Sequence, residues 1–235
     1  MKLIEENITQ TLNEEYLIET LNLNNKTILE LGCGNASKTQ GIASRGFDRK
    51  VIACEVDEIQ HEKNLQLEID NIVFRSFGAQ KIDIEDNSVD IVFMFKSFHH
   101  IPIELMDEAL VEIKRVLKPS GLLYISEPLF YGDQNKLISM FHDEEYVRAE
   151  AFRVIKKSVD NGEFKLFNEV FFNNEISYSS FEEFQERQMD LSYNGKSNIS
   201  NELMENIKKE FMKFYKDGEA KFLKPNRVDI LQKVL

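Results

Sequence analysis

The chain has 235 residues, of which 42% are apolar, and because a chain of this length buries one sizeable core we expect a single domain with an insertion. Its 41 acidic and 29 basic residues leave a net charge of −12, which disfavours a nucleic acid partner because phosphate backbones are repelled. The sequence has no long apolar run, no apolar signal at its start and no framework of paired cysteines, so we expect a cytoplasmic protein that does not enter a membrane.

The first 24 residues contain apolar side chains at roughly helical spacing, between residues 3 and 22. This period predicts one or two short helices. We expect residues 1–24 to form a helical cap over one edge of the sheet that the next segment predicts.

Short apolar runs alternate with segments of helical period between residues 25 and 128. The five predicted strands cover residues 27–31, 50–54, 72–76, 89–95 and 122–126. The helices between them are predicted near residues 40–45, 58–69 and 105–117. This alternation is typical of a parallel sheet with helices on both faces, so we expect residues 25–128 to form the core of a doubly wound α/β domain.

The regular alternation stops after residue 128. The remaining predicted elements are one or two helices at 135–160, a strand at 167–178, helices at 180–189 and 201–216, and a last strand at 227–234. We expect residues 129–200 to be an insertion that forms a lid at the carboxyl ends of the strands. Residues 201–235 would then add a helix and the last strand to the core.

The loop after the first predicted strand is the clearest candidate for a ligand site. In an open α/β sheet the ligand lies outside the carboxyl ends of the strands, where the strand order reverses. Gly32 and Gly34 leave room for a ligand that crosses the backbone, and Glu30 can accept a hydrogen bond from an ammonium group. Glu55 ends the second strand, where its carboxylate can accept from both hydroxyls of a ribose.

A dinucleotide cofactor is the competing interpretation of this loop. Such a cofactor requires a third glycine where its pyrophosphate meets the following helix. Ser37 stands at that position. The loop therefore favours a nucleoside cofactor without a pyrophosphate.

Four segments in a fixed order carry a family resemblance. They read ILELGCGN at residues 28–35, VIACEV at 51–56, DNSVDIVF at 86–93 with SFHHI at 97–101, and EIKRVLKPSGLL at 112–123. Over about residues 26–128 the chain resembles the class I S-adenosylmethionine-dependent methyltransferases, in particular the type 11 group. The resemblance implies a doubly wound, mostly parallel, seven-stranded sheet, S-adenosylmethionine as cofactor, and transfer of its methyl group to an acceptor.

The resemblance also implies a place for each residue of the loop. Glu30, Gly32, Cys33 and Gly34 would line the methionine end of the cofactor. Glu55 would hold the ribose. Val56 would pack against the adenine ring.

One part of the implied adenine site departs from the family. The family usually has an acidic residue near position 78 that accepts from the adenine amine, whereas Gly78, Ala79 and Gln80 occupy this place here. The amide of Ala79 and a carbonyl oxygen of Gln80 are the groups left to contact adenine. Phe95, at the end of the fourth strand, completes the expected cofactor-binding residues.

Two histidines follow the fourth strand, where acceptor and methyl group should meet. Methyl transfer needs an in-line approach and, for some acceptors, a base. An imidazole can accept a proton near neutral pH, so His100 and His99 are the candidate catalytic residues. A structural role at the end of the strand remains the alternative for both histidines. Lys96 is a candidate contact for an anionic acceptor, although an exposed lysine at a loop start needs no function.

The segment His142-Asp143-Glu144-Glu145 is the densest group of residue types that bind metals. Direct neighbours on a helix cannot all face one point, and acids at a helix N-terminus are favoured by the macrodipole. We therefore expect no metal site.

A small metabolite is the expected methyl acceptor, because the predicted lid is rich in aromatic side chains and the whole chain is acidic. Two alternatives remain open. One is a non-catalytic module that binds S-adenosylmethionine or S-adenosylhomocysteine, which the missing acid near Gly78 favours. The other is an enzyme that modifies the cofactor itself on the same fold. The composition favours no particular oligomeric state.

Overall fold

Strands and helices alternate along the chain in the computed structural model, which describes residues 1–189 and 199–234. The strands are β1 (Thr27–Leu31), β2 (Lys50–Cys54), β3 (Ile72–Arg75), β4 (Val89–Phe95), β5 (Leu117–Pro128), β6 (Phe164–Tyr178), β7 (Tyr215–Lys216) and β8 (Glu219–Lys233). The helices are α1 (Glu14–Glu19), α2 (Ser37–Ala43), α3 (Glu58–Asn64), α4 (Met106–Val116), α5 (Asp133–Ser139), α6 (Glu145–Asp160), α7 (Phe181–Gln188) and α8 (Asn201–Met212). Within the described residues, no helix is both long enough and apolar enough to cross a membrane.

The strands form one mixed sheet in the order β3-β2-β1-β4-β5-β8-β6. The five strands from β3 to β5 are parallel, and β8 runs antiparallel between β5 and β6. The strand order reverses between β1 and β4, which places the expected ligand crevice at their carboxyl ends. The doubly wound, mostly parallel sheet is confirmed. The described residues give it eight strands instead of seven, because the two-residue β7 forms a hairpin with β8.

Two apolar cores cover the two faces of the sheet. Successive side chains of a strand point to opposite faces, and a central parallel strand is therefore apolar at nearly every position. Leu29 of β1 packs with α4 and α6 on one face, and Ile28 packs with α1 and α2 on the other. This two-sided burial fixes the central strands, and with them the loops at their carboxyl ends.

A third apolar core lies beyond these two, where the far ends of β6 and β8 meet α5, α7 and α8. It is built largely of aromatic side chains, including Tyr178, Phe184 and Phe211, all fully buried. Strand β6 lies within residues 129–200, the segment expected to form a lid, and it pairs with β8 along its whole length. That segment therefore contributes a strand to the sheet as well as α5, α6 and α7.

The N-terminal segment contains one of the one or two short helices predicted there, α1. Before α1 the chain forms an isolated bridge between Thr11 and Asn173 of the edge strand β6. The backbone of Asn173 donates to Gln10 and accepts from Leu12. An edge strand offers unpaired backbone groups, and pairing with them satisfies the N-terminal backbone without a helix.

Candidate active site

The loop between β1 and α2 lies beside the end of β2. The amides of Gly32 and Cys33 both donate to the carbonyl oxygen of Cys54, at 2.9 Å each. A Cβ at Gly32 would lie 2.6 Å from the Cβ of Ser97, and the residue has a φ of +73°, so only glycine fits at this close approach. Gly34 also has a positive φ, but a Cβ there would meet no described atom within 4 Å. Gly34 thus borders open space, as a ligand site requires.

The Glu55 carboxylate lies across this loop, with 9% of the residue exposed. One oxygen accepts from the amide of Gly34 at 2.7 Å, and the other accepts from the amide of Asp57 at 2.9 Å. A carboxylate has about four lone-pair positions, so each oxygen can accept one further hydrogen bond. The carboxylate is therefore fixed in place and still able to accept from a diol.

Glu30 lies at the end of β1 and is only 1% exposed. It accepts a hydrogen bond of 2.6 Å from the hydroxyl of Thr39 on α2. Burial raises the pKa of Glu30 to about 8. The hydrogen bond from Thr39 and the charge of Lys38 lower this pKa, but they offset the effect of burial only in part. The carboxyl is therefore mostly protonated at neutral pH without a ligand, and a cation beside it would favour the ionised form.

Asn64, the last residue of α3, holds the loop from a third side, and sequence reasoning missed it. Its side-chain amide donates to the carbonyl of Gly34 at 2.7 Å and contacts the sulfur of Cys33 at 3.6 Å. Cys33 is buried, and burial raises the pKa of its thiol, so this cysteine is neutral. Nothing in the local sequence around Asn64 indicates this contact, because it joins two elements through the fold.

The other residues predicted to bind the cofactor lie at the same edge of the sheet. Val56 follows Glu55 directly and is 65% exposed, which is unusual for a large apolar side chain. After β3, the side chain of Gln80 folds over Gly78, where a Cβ would lie 2.4 Å from its oxygen, and Ala79 is buried. Phe95 at the end of β4 is half-buried and stacks on Phe93, with ring centroids 5.3 Å apart.

His99 and His100 form a short 3-10 turn with Phe98 directly after β4. His99 is buried, and its Nδ1 forms an ion pair with Glu127 at the end of β5. Burial alone would lower the pKa of His99, but the charges and hydrogen bonds of Glu127 and Glu144 outweigh it and raise the pKa to about 9. His99 therefore carries its proton at neutral pH, where it cannot accept another.

His100 is more exposed than His99, and their rings lie 4.1 Å apart between centroids. Partial burial and the positive charge of His99 lower the pKa of His100. Of the two candidate bases, His100 is therefore the one that is unprotonated at neutral pH.

A group of acids and bases around His99 was missed by sequence reasoning. Glu127 also accepts from the amide of Phe98 at 3.1 Å, and Glu144, just before α6, forms ion pairs with His99, His142 and Arg148. Glu127 ends a parallel strand in the same way as Glu30 and Glu55, and this signal could have identified it. Glu144 comes from a distant segment, and no local pattern pairs it with His99.

Two lysines lie close to this group. Lys96 follows β4, and Lys224 lies on β8. Burial, followed by the charges of Lys96 and Arg148, lowers the pKa of Lys224 to about 7. The carboxyl ends of β4 and β5 and the amino-terminal half of β8 therefore combine carboxylates, imidazoles and cations at one edge of the sheet.

Comparison with known proteins places this site within a family. Residues 29–125 match the family model described as a methyltransferase domain. An uncharacterized methyltransferase of Schizosaccharomyces pombe is 36% identical over 116 residues, which cover 49% of this chain and 43% of that protein. Phosphoethanolamine N-methyltransferase 1 of Triticum aestivum is 32% identical over 127 residues, 51% of this chain and 25% of that protein. The chain thus spans less than half the length of these relatives.

Solved structures agree with the fold along nearly the whole chain. The structure of a putative methyltransferase from Bacillus halodurans superposes with a TM-score of 0.64 at 17% identity, covering 94% of this chain and 98% of that one. The reversed strand order and the glycine loop define a Rossmann-like class I methyltransferase architecture. The match of residues 29–125 to a methyltransferase domain agrees with the resemblance to S-adenosylmethionine-dependent methyltransferases of the type 11 group seen in the sequence.

Proposed function

We propose that this chain transfers a methyl group from S-adenosylmethionine to a small-molecule acceptor. The observation that carries the proposal is the Glu55 carboxylate, which two backbone amides fix across a glycine loop that borders open space. Such a carboxylate suits the two hydroxyls of a ribose. The bound cofactor would supply an activated methyl group on its sulfonium.

The residues of the loop fit the two ends of this cofactor. We place its amino acid end at Glu30, where a buried carboxyl can ionise against an ammonium group. We place its adenine against the exposed side chain of Val56 and beside Gly78, Ala79 and Gln80. Because no acid stands near position 78, backbone groups of this segment would contact the adenine edge.

The acceptor side of the proposal lies at the carboxyl ends of β4 and β5. There His100 can accept the proton that a hydroxyl or an amine loses, while Glu127 holds His99 beside it. A small cavity of about 80 Å³ beside Glu127 is lined by Arg148 and by Leu3 and Ile4 of the N-terminal segment. The net charge of −12 disfavours a nucleic acid acceptor, and the relative named phosphoethanolamine N-methyltransferase 1 supports a small metabolite.

Two larger cavities lie elsewhere. One, of about 710 Å³, is lined by residues such as Lys26 and Lys50 at the amino ends of β1 and β2. The other, of about 590 Å³, lies between α5 and α8. Neither contains the glycine loop, and we place no part of the reaction in them, because ligands of open α/β sheets bind at the carboxyl ends of the strands.

Turnover with pools of small metabolites tests this proposal. We expect mass spectrometry to detect two products: S-adenosylhomocysteine, formed only when an acceptor is present, and an acceptor that has gained one methyl group. Tight cofactor binding without this product in any pool would contradict the proposal and favour the non-catalytic binding module. A changed cofactor with no methylated acceptor would instead indicate an enzyme that modifies the cofactor.

A further inference from the structure

Three of the four histidines of the chain converge on one carboxylate beside the proposed acceptor site. His99, His100 and Glu144 each offer one ligand atom, and these atoms all lie within 4.8 Å of one another. The Nε2 of His142 lies 2.9 Å from the same Oε1 oxygen of Glu144 that faces His99. The histidines come from two segments distant in sequence, so the fold and not a local motif brings them together.

Two of the three proposed ligands, His99 and Glu144, are oriented by a partner on their other polar atom. Glu127 pairs with the Nδ1 of His99, which leaves the Nε2 facing the Oε1 of Glu144 at 3.5 Å. Histidines that bind metals almost always donate their other ring N–H to a carboxylate or a carbonyl in this way. Arg148 pairs with the Oε2 of Glu144 and so leaves Oε1 directed at the histidines.

The balance of charge also bears on this cluster. Glu127 and Glu144 bring two negative charges to a mostly buried place, where the side chain of Glu144 is 12% exposed, and Arg148 and the protonated His99 compensate them. A metal ion on the Nε2 of His99 would displace the proton there and replace its positive charge. Positive charge on Lys96 and Lys224 opposes the binding of a cation. Cation binding must therefore depend on ligand geometry as well as on net charge. Two imidazoles and one carboxylate are a ligand set suited to transition metals, whereas Mg²⁺ and Ca²⁺ prefer oxygen ligands.

We propose that the Nε2 of His99, a ring nitrogen of His100 and the Oε1 of Glu144 bind one divalent transition metal ion, with Zn²⁺ as the expected type. His142 acts as a positioning residue on Glu144. Three protein ligands with one open position are typical of catalytic zinc sites, whereas structural sites use four. The open position would face the acceptor, and a hydroxyl bound there would lose its proton to water without His100 as the base.

The sequence-based expectation of no metal site considered only the neighbours from His142 to Glu145. Of these, the cluster includes Glu144 alone as a ligand, and its other ligands follow β4. The inference goes beyond the proposed function, because a chain that binds the metal need not transfer methyl groups.

Cobalt binding to the metal-free full chain tests the site directly. Co²⁺ is added in a buffer that does not chelate metals, and its visible absorption is followed, since a site of this ligand set gives strong bands. We expect saturation at one Co²⁺ per chain and loss of the bands when Zn²⁺ is added. We expect His100→Ala and Glu144→Gln each to weaken Co²⁺ binding about tenfold or more.

His61→Ala is the matched control, because His61 lies on α3 and outside the cluster. We expect this variant to bind Co²⁺ as the wild type does. Absence of saturable Co²⁺ binding by the wild type would overturn the proposal, as would equal losses in the His61 and His100 variants. Calorimetry with S-adenosylmethionine on the same variants keeps the two proposals apart, because cofactor affinity should not change in any of them.

Discussion

Glu30 and Glu55 end neighbouring strands, yet their surroundings give them different properties. Two backbone amides hold the Glu55 carboxylate in place. Glu30 has one hydroxyl donor, and its burial raises its pKa to about 8. Glu55 is therefore a preformed acceptor, whereas Glu30 becomes fully ionised at neutral pH only when a cation lies beside it.

The pH dependence of stability tests the state of Glu30. Its pKa is about 8 in the folded protein and returns to its ordinary value of 4.5 on unfolding, so the folded state binds this proton more tightly. The stability that the proton contributes is complete below about pH 4.5 and is lost as the pH rises through about 8. Glu30→Gln removes this loss, because glutamine stays neutral and still accepts from Thr39.

We expect the ligand-free Glu30→Gln protein to gain stability over the wild type as the pH rises from about 5 to 8, by up to a few kcal/mol. Urea unfolding at a series of pH values measures the difference. Glu58→Gln, an exposed position at the start of α3, serves as the control. A constant difference between the Glu30 variant and the wild type across this range would contradict the assigned pKa.

Two glycines of the loop should respond differently to alanine. Gly32→Ala places a Cβ 2.6 Å from that of Ser97 at a positive φ, so we expect a loss of about 1–3 kcal/mol in the free energy of unfolding. Gly34→Ala should cost only about 1 kcal/mol in the free energy of unfolding, from a side chain at a positive φ. Its methyl group, however, enters the space that we assign to the cofactor. We expect chemical denaturation to show the larger loss at Gly32 and calorimetry to show weaker S-adenosylmethionine binding at Gly34. The reverse order in stability would contradict this reading of the loop.

Among the elements, β8 joins the cofactor-binding half of the sheet to the rest of the chain. It pairs with β5 from Leu122 to Pro128 and with β6 from Phe164 to Tyr178. Its first residues also contribute Ala220 and Phe222 to the aromatic core beyond the sheet. Packing in that core therefore supports the strand that carries Lys224 to the acceptor side.

Phe211 of α8 tests the contribution of this core. Its ring is fully buried and lies within 5.4 Å of the rings of Phe181 and Phe184, measured between centroids. We expect Phe211→Ala to reduce the free energy of unfolding by about 3–5 kcal/mol, because it opens a cavity among rings that cannot close on it. Phe167→Ala is the control, since Phe167 is 59% exposed, and its loss should stay below about 0.5 kcal/mol. Similar losses in both variants would contradict the described core.

At the scale of the whole molecule, the sequence predicts what depends on local pattern. Strands β1 to β4 match the predicted ranges to within one residue, because a buried parallel strand is a short apolar run between turn residues. The acids Glu30 and Glu55 could be assigned to one crevice because parallel strands end at the same edge of a sheet. Comparison with solved structures confirms that sheet.

The rest depends on contacts between distant segments. The helical period of residues 3–22 yields one short helix, α1, because residues 8–12 hydrogen-bond to the edge of β6 instead. Strand β5 begins at Leu117 and β8 at Glu219, earlier than predicted, since each is lengthened by its neighbours. The ion pairs of His99 with Glu127 and Glu144 join three segments, and no periodicity within one segment encodes them.

Titration calorimetry with S-adenosylmethionine on Glu55→Gln and Glu58→Gln tests the central assignment most directly. Glu55→Gln keeps the shape of the side chain but removes the charge that strengthens hydrogen bonds to a ribose, bonds worth about 1.5–3 kcal/mol each. We predict a dissociation constant at least about tenfold higher for Glu55→Gln and an unchanged one for Glu58→Gln. Equal affinities of wild type and Glu55→Gln would contradict the placement of the cofactor across the glycine loop.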